Sequence, residues 1–177
     1  MTAVVEWSRE ELTARRDDVL DVYAEAMDVP RPAARGRRSI LTAHLERRGL
    51  RAVAAVEEGG LLIGVAYGYL GSPGQWWHDR VRAAVTDDQS ARWLEDSFEV
   101  CELHVRPGHQ GLGWGRRLLD DLLAGPPALT ATLTTPDSET RARAFYRAGG
   151  WVDLVRNLVF PGDPRAFAVL AKDLRRA

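Results

Sequence analysis

Apolar positions along this chain recur with two periods, one suited to strands and one to helices. Ala3 to Trp7 is a short β-prone run, and Ser8-x-x-Glu11 behind it is a capping-box signature that predicts a helix through about Met27. Pro30 and Pro32 break that helix, and a second is predicted over 34–47, where Ile40, Leu41, His44 and Leu45 face one side and Gly49 suits a C-terminal cap. Arg51 to Val56 and Leu61 to Leu70 are strand-like, with Glu57-Glu58-Gly59-Gly60 as a hairpin turn between them. The next segment, 71–97, opens with Ser72-Pro73-Gly74 and sets Trp76, Trp77 and Trp93 among charged residues, which predicts an inserted lobe of one or two short helices. Phe98 to Val105 is an extended run that Pro107 ends, and Arg116 to Leu123 resumes helical spacing until Gly125-Pro126-Pro127. Leu129 to Thr135 reads as a strand, a helix follows Thr135-Pro136-Asp137 through about Ala148, and 151–160 and 165–172 close the chain as two strands.

The order β, α, α, β, β, insert, β, α, β, α, β, β mixes strands and helices without strict alternation. It predicts an α/β protein of the α+β kind, with a central mixed sheet and flanking helices rather than a doubly wound dinucleotide fold. A length of 177 residues suits one domain, 1–177, carrying 71–97 as its inserted lobe. Acidic and basic residues nearly cancel at 25 against 24, so the charge balance suggests neither a nucleic-acid footprint nor attraction to an anionic membrane. One cysteine, Cys101, forms no intramolecular disulfide, and His44, His78, His104 and His109 lack metal-ligand spacing. The N-terminal residues lack a signal-peptide pattern and no run approaches a membrane span, so a soluble, cytoplasmic protein is expected, with a homodimer left open.

Between the strand ending at Val105 and the helix after it lie Gly108, Gly111, Gly113 and Gly115. Glycines here permit positive φ and let a ligand approach the backbone, and the N–H groups of the first helical turn favour an anion such as a phosphate or pyrophosphate. The context is more specific: Val105-x-Pro107, then Gln110-x-x-Gly113-x-Gly115, then Arg116-Arg117-Leu118-Leu119. This resembles the acyl-CoA-binding motif of the GNAT superfamily of N-acyltransferases. Downstream, the segment 138–151, with Ala144-Phe145-Tyr146 and Gly149-Gly150-Trp151, resembles that superfamily's later helix.

The resemblance implies a GNAT-like twisted mixed sheet and transfer of acetyl from acetyl-CoA, a co-substrate, to an amine of a small molecule or peptide in a ternary complex. A catalytically silent acyl-CoA-binding module of the same fold is the alternative. The cradle would be Gln110, Gly111, Leu112, Gly113, Trp114, Gly115 and Arg116, with Arg116 or Arg117 adding charge, and main-chain groups of Leu103, His104 and Val105 would meet the pantetheine arm. Glu102 is the first candidate to deprotonate the acceptor, with Glu99 and His104 as alternatives; strand alternation puts Glu102 and His104 on one face and Glu99 on the other. Tyr146 falls where the family places its general acid, and a phenol near pKa 10 can protonate a departing thiolate. Glu139 stands where the family commonly has an Asn that contacts the pantetheine arm; a carboxylate lacks the amide donor. The insert 71–97, with its tryptophans and acids, is expected to meet the acceptor together with the early helices.

Overall fold

The capping box expected at Ser8 is formed: its hydroxyl accepts from the Glu11 amide, and the Glu11 carboxylate accepts from the Ser8 amide at 2.7 Å. A computed structural model describes residues 2–175. Along them lie β1 (Thr2–Trp7), α1 (Arg9–Ala14), α2 (Arg16–Ala26), α3 (Arg31–Arg35), α4 (Arg38–Leu45), β2 (Arg51–Glu57), β3 (Leu62–Leu70), α5 (Trp76–Arg82) and α6 (Asp87–Trp93). β4 (Ser97–Val105), a 3-10 turn (Pro107–His109), α7 (Trp114–Leu123), β5 (Thr130–Pro136), α8 (Arg141–Ala148), β6 (Val152–Val159) and β7 (Ala166–Asp173) follow. The strands form a seven-stranded mixed sheet in the order β1-β2-β3-β4-β5-β7-β6, flanked by helices, which is the architecture the order of elements predicts. The chain divides into two compact units, one of residues up to Tyr69 with Val100–Pro126, the other of Leu70–Glu99 with the residues from Pro127 onward.

In the first unit β1, β2 and β3 form an antiparallel meander, with Trp7 opposite Ala52 and Ala52 opposite Tyr67. The register shifts after Ala55, which faces Gly64 while Val56 faces Leu62. The extra residue, Ile63, turns its carbonyl to the Arg106 amide at 2.8 Å, tying β3 to the end of β4. Trp7, Leu12, Val19, Val22, Leu41, Leu45 and Tyr67 pack one core, with Cys101 packed against it as a small apolar residue. α7 buries Leu118, Leu119 and Leu122. A Cβ on Gly64 would come within 3.0 Å of Leu118 Cδ1 and 3.1 Å of the His104 carbonyl, so only glycine lets the helix and strands pack this closely. Leu118 is fully buried. Leu118→Ala should therefore cost about 2–5 kcal/mol of unfolding free energy, measured by urea titration.

Two of the expected helices are each split in two. The one expected to run from Ser8 to Met27 breaks at Arg15, whose guanidinium reaches Asp18 at 2.8 Å and the Gly60 carbonyl at 2.7 Å. That second bond joins residues 45 apart in sequence, and no local pattern encodes it. The helix expected over 34–47 is two, α3 and α4. The Gly36 amide turns back to the carbonyls of Pro32 and Ala33 and ends α3, while Pro30 and Pro32 open α3, where a missing N–H costs little.

In the second unit β4 pairs in parallel with β5 over Ser97–Glu99 and Thr130–Thr132, β5 pairs antiparallel with β7, and β7 with β6. The insert is α5 and α6, the latter opened by a Thr86–Gln89 capping box. Val81, Leu94 and Val169 form its core, with Trp77, Leu154 and Leu158 packed on them. Arg143 is fully buried and pairs with Asp137 at 2.8 Å and Asp153 at 2.6 Å, so its charge is matched where it is desolvated.

Candidate functional site

In the first unit the glycine turn takes the form its sequence calls for, at two of its four glycines. Gly111 has φ +79 and Gly113, the N-cap of α7, has φ +86, whereas Gly108 lies in the 3-10 turn and Gly115 within the helix. The helix starts at Trp114, two residues before the expected Arg116. The turn is pinned at its base: Gln110 Nε2 donates to the Val105 carbonyl at 2.9 Å, and His109 meets Glu57 at 3.0 Å. A Cβ built on Gly111 or Gly113 meets nothing within 4 Å. The space above the turn is therefore open to a ligand, and the first amides of a ten-residue helix have no intrahelical acceptor. These residues fit the pyrophosphate of acetyl-CoA. Arg117 stacks over the Trp114 ring at 5.0 Å, Arg116 lies 4.0 Å from Asp120, and Leu112 is 66% exposed at the lip.

On β4, Glu102 and His104 share a face, as alternation requires, and both are half-buried. His104 Nε2 lies 2.5 Å from Glu102 Oε2, and Arg37 Nη2 donates to Oε1 at 2.5 Å. The Arg37 guanidinium also lies 4.6 Å from the Tyr23 ring centre, and Tyr23 meets the His104 imidazole edge-on at 5.2 Å. Val19, Leu20, Tyr23, Arg37, Ile40, Leu41 and Tyr67 wall a narrow pocket that Glu102 and His104 also line. Burial by itself would push the Glu102 carboxyl up, but the hydrogen bond and charge of His104, and then Arg37, outweigh it and hold the group at about 2. Beneath, burial followed by the Glu102 charge pushes the Tyr67 phenol well up, and its hydroxyl lies 3.2 Å from His44 Nδ1. Burial, the largest influence on His44, lowers its pKa and favours the neutral ring.

Because the folded Glu102 value lies below the ordinary 4.5, the unfolded chain binds more protons at acid pH. The stabilisation is whole above about pH 4.5 and is lost as pH falls through about 2. Wild type should lose unfolding free energy more steeply than Glu102→Gln over that window, as urea titrations at stepped pH will show.

In the second unit Tyr146 lies on α8, half-buried, its ring 5.2 Å from Phe145 and 5.7 Å from Trp151. Glu139 forks onto Arg147 with both oxygens, at 3.0 and 3.2 Å. Glu99 is buried in the part of β4 that pairs with β5. Of the insert's tryptophans, Trp77 donates to Thr134 Oγ1 at 2.7 Å and seals the local core, whereas Trp76 stacks on Phe160 at 5.4 Å and stays 54% exposed. Trp77 is thus a packing residue of this unit. Among the described residues no group of three or more His, Cys, Asp and Glu could hold a metal ion, and no helix is long and apolar enough to cross a membrane.

Arg37, Tyr23, Tyr67 and His44 escape sequence reasoning as site residues. Arg37 meets Glu102 across 65 positions, from the α3–α4 break that the helical pattern conceals. His44 was visible only as one position on a helix face.

A central strand that ends in a glycine turn opening a helix, beside a half-buried acid–imidazole pair, is an arrangement that suits an acyl-CoA-dependent acyltransferase. Residues 16–150 match the acetyltransferase (GNAT) family, and the chain belongs to that family. It is 37% identical to a GCN5-like protein acetyltransferase of Mycobacterium tuberculosis, over 93% of this chain and 94% of that one. A GNAT-family structure from Desulfovibrio desulfuricans superposes with a TM-score of 0.71 at 16% identity, covering 98% of this chain and 99% of its own. An acetyltransferase structure from Salmonella typhimurium with its cofactor acetyl-CoA gives 0.64 at 14%, covering 98% and 94%.

Proposed function

We propose that this protein transfers an acetyl group from acetyl-CoA to the amine of a small molecule or peptide, directly and in a ternary complex. The observation that carries the reading is the Gln110–Gly115 turn, with two left-handed glycines and open space at the start of α7. Its backbone amides hold the pyrophosphate. Backbone groups of Leu103 and His104 meet the pantetheine arm; the Val105 carbonyl already accepts from Gln110, so its share is smaller. Acetyl-CoA supplies the activated acyl group. The half-buried carboxylate of Glu102 attracts the acceptor ammonium to the pocket between α2 and α4, and Tyr146 supplies the proton to the leaving thiolate. A peptide amine is supported by the Mycobacterium tuberculosis relative, which is named a protein acetyltransferase.

The test is to incubate the protein with acetyl-CoA and a panel of lysine peptides, N-terminal peptides, polyamines and aminoglycosides, following free thiol and the mass of each amine. Amine-dependent thiol release with an acetylated product is expected. Tight acetyl-CoA binding without turnover on any amine would favour the catalytically silent module, a reading to which the engagement of Glu139 by Arg147 lends some support.

A further inference from the structure

We propose that His104, not Glu102, takes the proton from the acceptor ammonium, and that Glu102 is a positioning residue that holds the imidazole through Nε2. This rests on the acetyl transfer proposed above and names the proton path within it.

Both Glu102 oxygens are committed, Oε1 to Arg37 and Oε2 to His104. A carboxylate held at about 2 is also on the order of 10⁸-fold too weak a base for a lysine-type ammonium near 10. With Nε2–H donated to Glu102, the imidazole tautomer is set and the Nδ1 lone pair is left to accept. Histidine roles in acyl transfer follow the same logic, in which a buried carboxylate orients the ring and does not itself become protonated. Tyr23 from α2 holds the ring edge-on at 89°. The other charged or titratable groups around the pair are Arg37 between α3 and α4, Tyr67 on β3 and His44 on α4. Arg37 is ion-paired to the carboxylate, the Tyr67 phenol keeps its proton, and burial favours a neutral His44, so none of the three is the base.

The step balances without a co-reactant. An N–H bond of the ammonium breaks, its electron pair stays on nitrogen for attack on the thioester carbonyl, and an N–H bond forms at His104 Nδ1. The imidazolium, stabilised by Glu102, later returns its proton to solvent.

The experiment uses the full chain and the amine that wild type acetylates fastest, with kcat and kcat/KM measured from pH 5 to 9. His104→Ala should lower kcat by ~10²-fold, leave the KM for acetyl-CoA unchanged, and recover part of the rate with added imidazole. Glu102→Gln should keep an ascending limb in kcat/KM but lower kcat, because the imidazole loses the carboxylate that orients it through Nε2. A His104→Ala enzyme with the wild-type rate and profile would overturn the assignment, as would a Glu102→Gln enzyme whose ascending limb is lost altogether. Circular dichroism and acetyl-CoA affinity check the fold, and His104→Asn gives the same readouts if the alanine variant unfolds. Wild type inert toward every amine would bring down the acetyl-transfer reading itself; an active wild type matched by His104→Ala brings down only this one.

Discussion

Gly113→Glu should weaken acetyl-CoA binding by ~10³-fold while leaving a folded protein. The residue is the N-cap of α7 with φ +86, and a Cβ there meets nothing within 4 Å, so the new side chain projects into open space. Its cost to folding is left-handed strain of roughly 1–2 kcal/mol, which a chain of this size tolerates. Its cost to binding is larger. The carboxylate sits where the helix dipole favours an anion and occupies the amides that the pyrophosphate needs. It also repels a phosphate about 4 Å away by about 4 kcal/mol at the effective dielectric of a protein surface. Gly113→Ala isolates the strain from the charge and should lose less than tenfold. Calorimetric titration of both variants decides: equal affinity for wild type and Gly113→Glu would mean that the pyrophosphate binds elsewhere.

Tyr146→Phe should lower kcat by ~10³-fold with the acetyl-CoA Kd within twofold of wild type. The ring contacts with Phe145 and Trp151, at 5.2 and 5.7 Å, survive the substitution, so the variant removes a hydroxyl and little packing. A phenol and the thiol that CoA becomes are both weak acids, of pKa near 10 and 8.5 for their unperturbed side-chain types, so proton transfer from the phenol to the departing thiolate is close to balanced. Pre-steady-state measurements that isolate the chemical step give the relevant rate. A Phe variant as fast as wild type in that step would leave Tyr146 as one member of an aromatic cluster on α8.

The glycine turn and its strand and helix were legible in sequence because their signals are local. Pro107 ends the extended run, Gly111 and Gly113 permit left-handed backbone, and leucines at 118, 119 and 122 give α7 one buried face. The Ser8 capping box and the Gly59-Gly60 hairpin, with φ +102 and +88, belong to the same class. Alternation along β4 likewise puts Glu102 with His104 on one face.

Sequence by itself therefore determined the element types, the mixed sheet, the family motifs and the strand face that carries the acid. Only the tertiary structure decided what that acid can do. Arg37 from the α3–α4 break, Tyr23 from α2 and Tyr67 from β3 surround Glu102 and His104, and the partners on the early helices lie from 65 to 79 positions before Glu102 in sequence. Carboxylate basicity depends on desolvation and on charges within a few ångströms, and those are set by packing rather than by neighbours in the chain. Arg15 and Gly36 make the same point for the backbone. Each interrupts a helix whose apolar spacing runs straight through it: Arg15 carries its guanidinium to a hairpin carbonyl 45 residues away, and the Gly36 amide turns back to Pro32 and Ala33 at the end of α3.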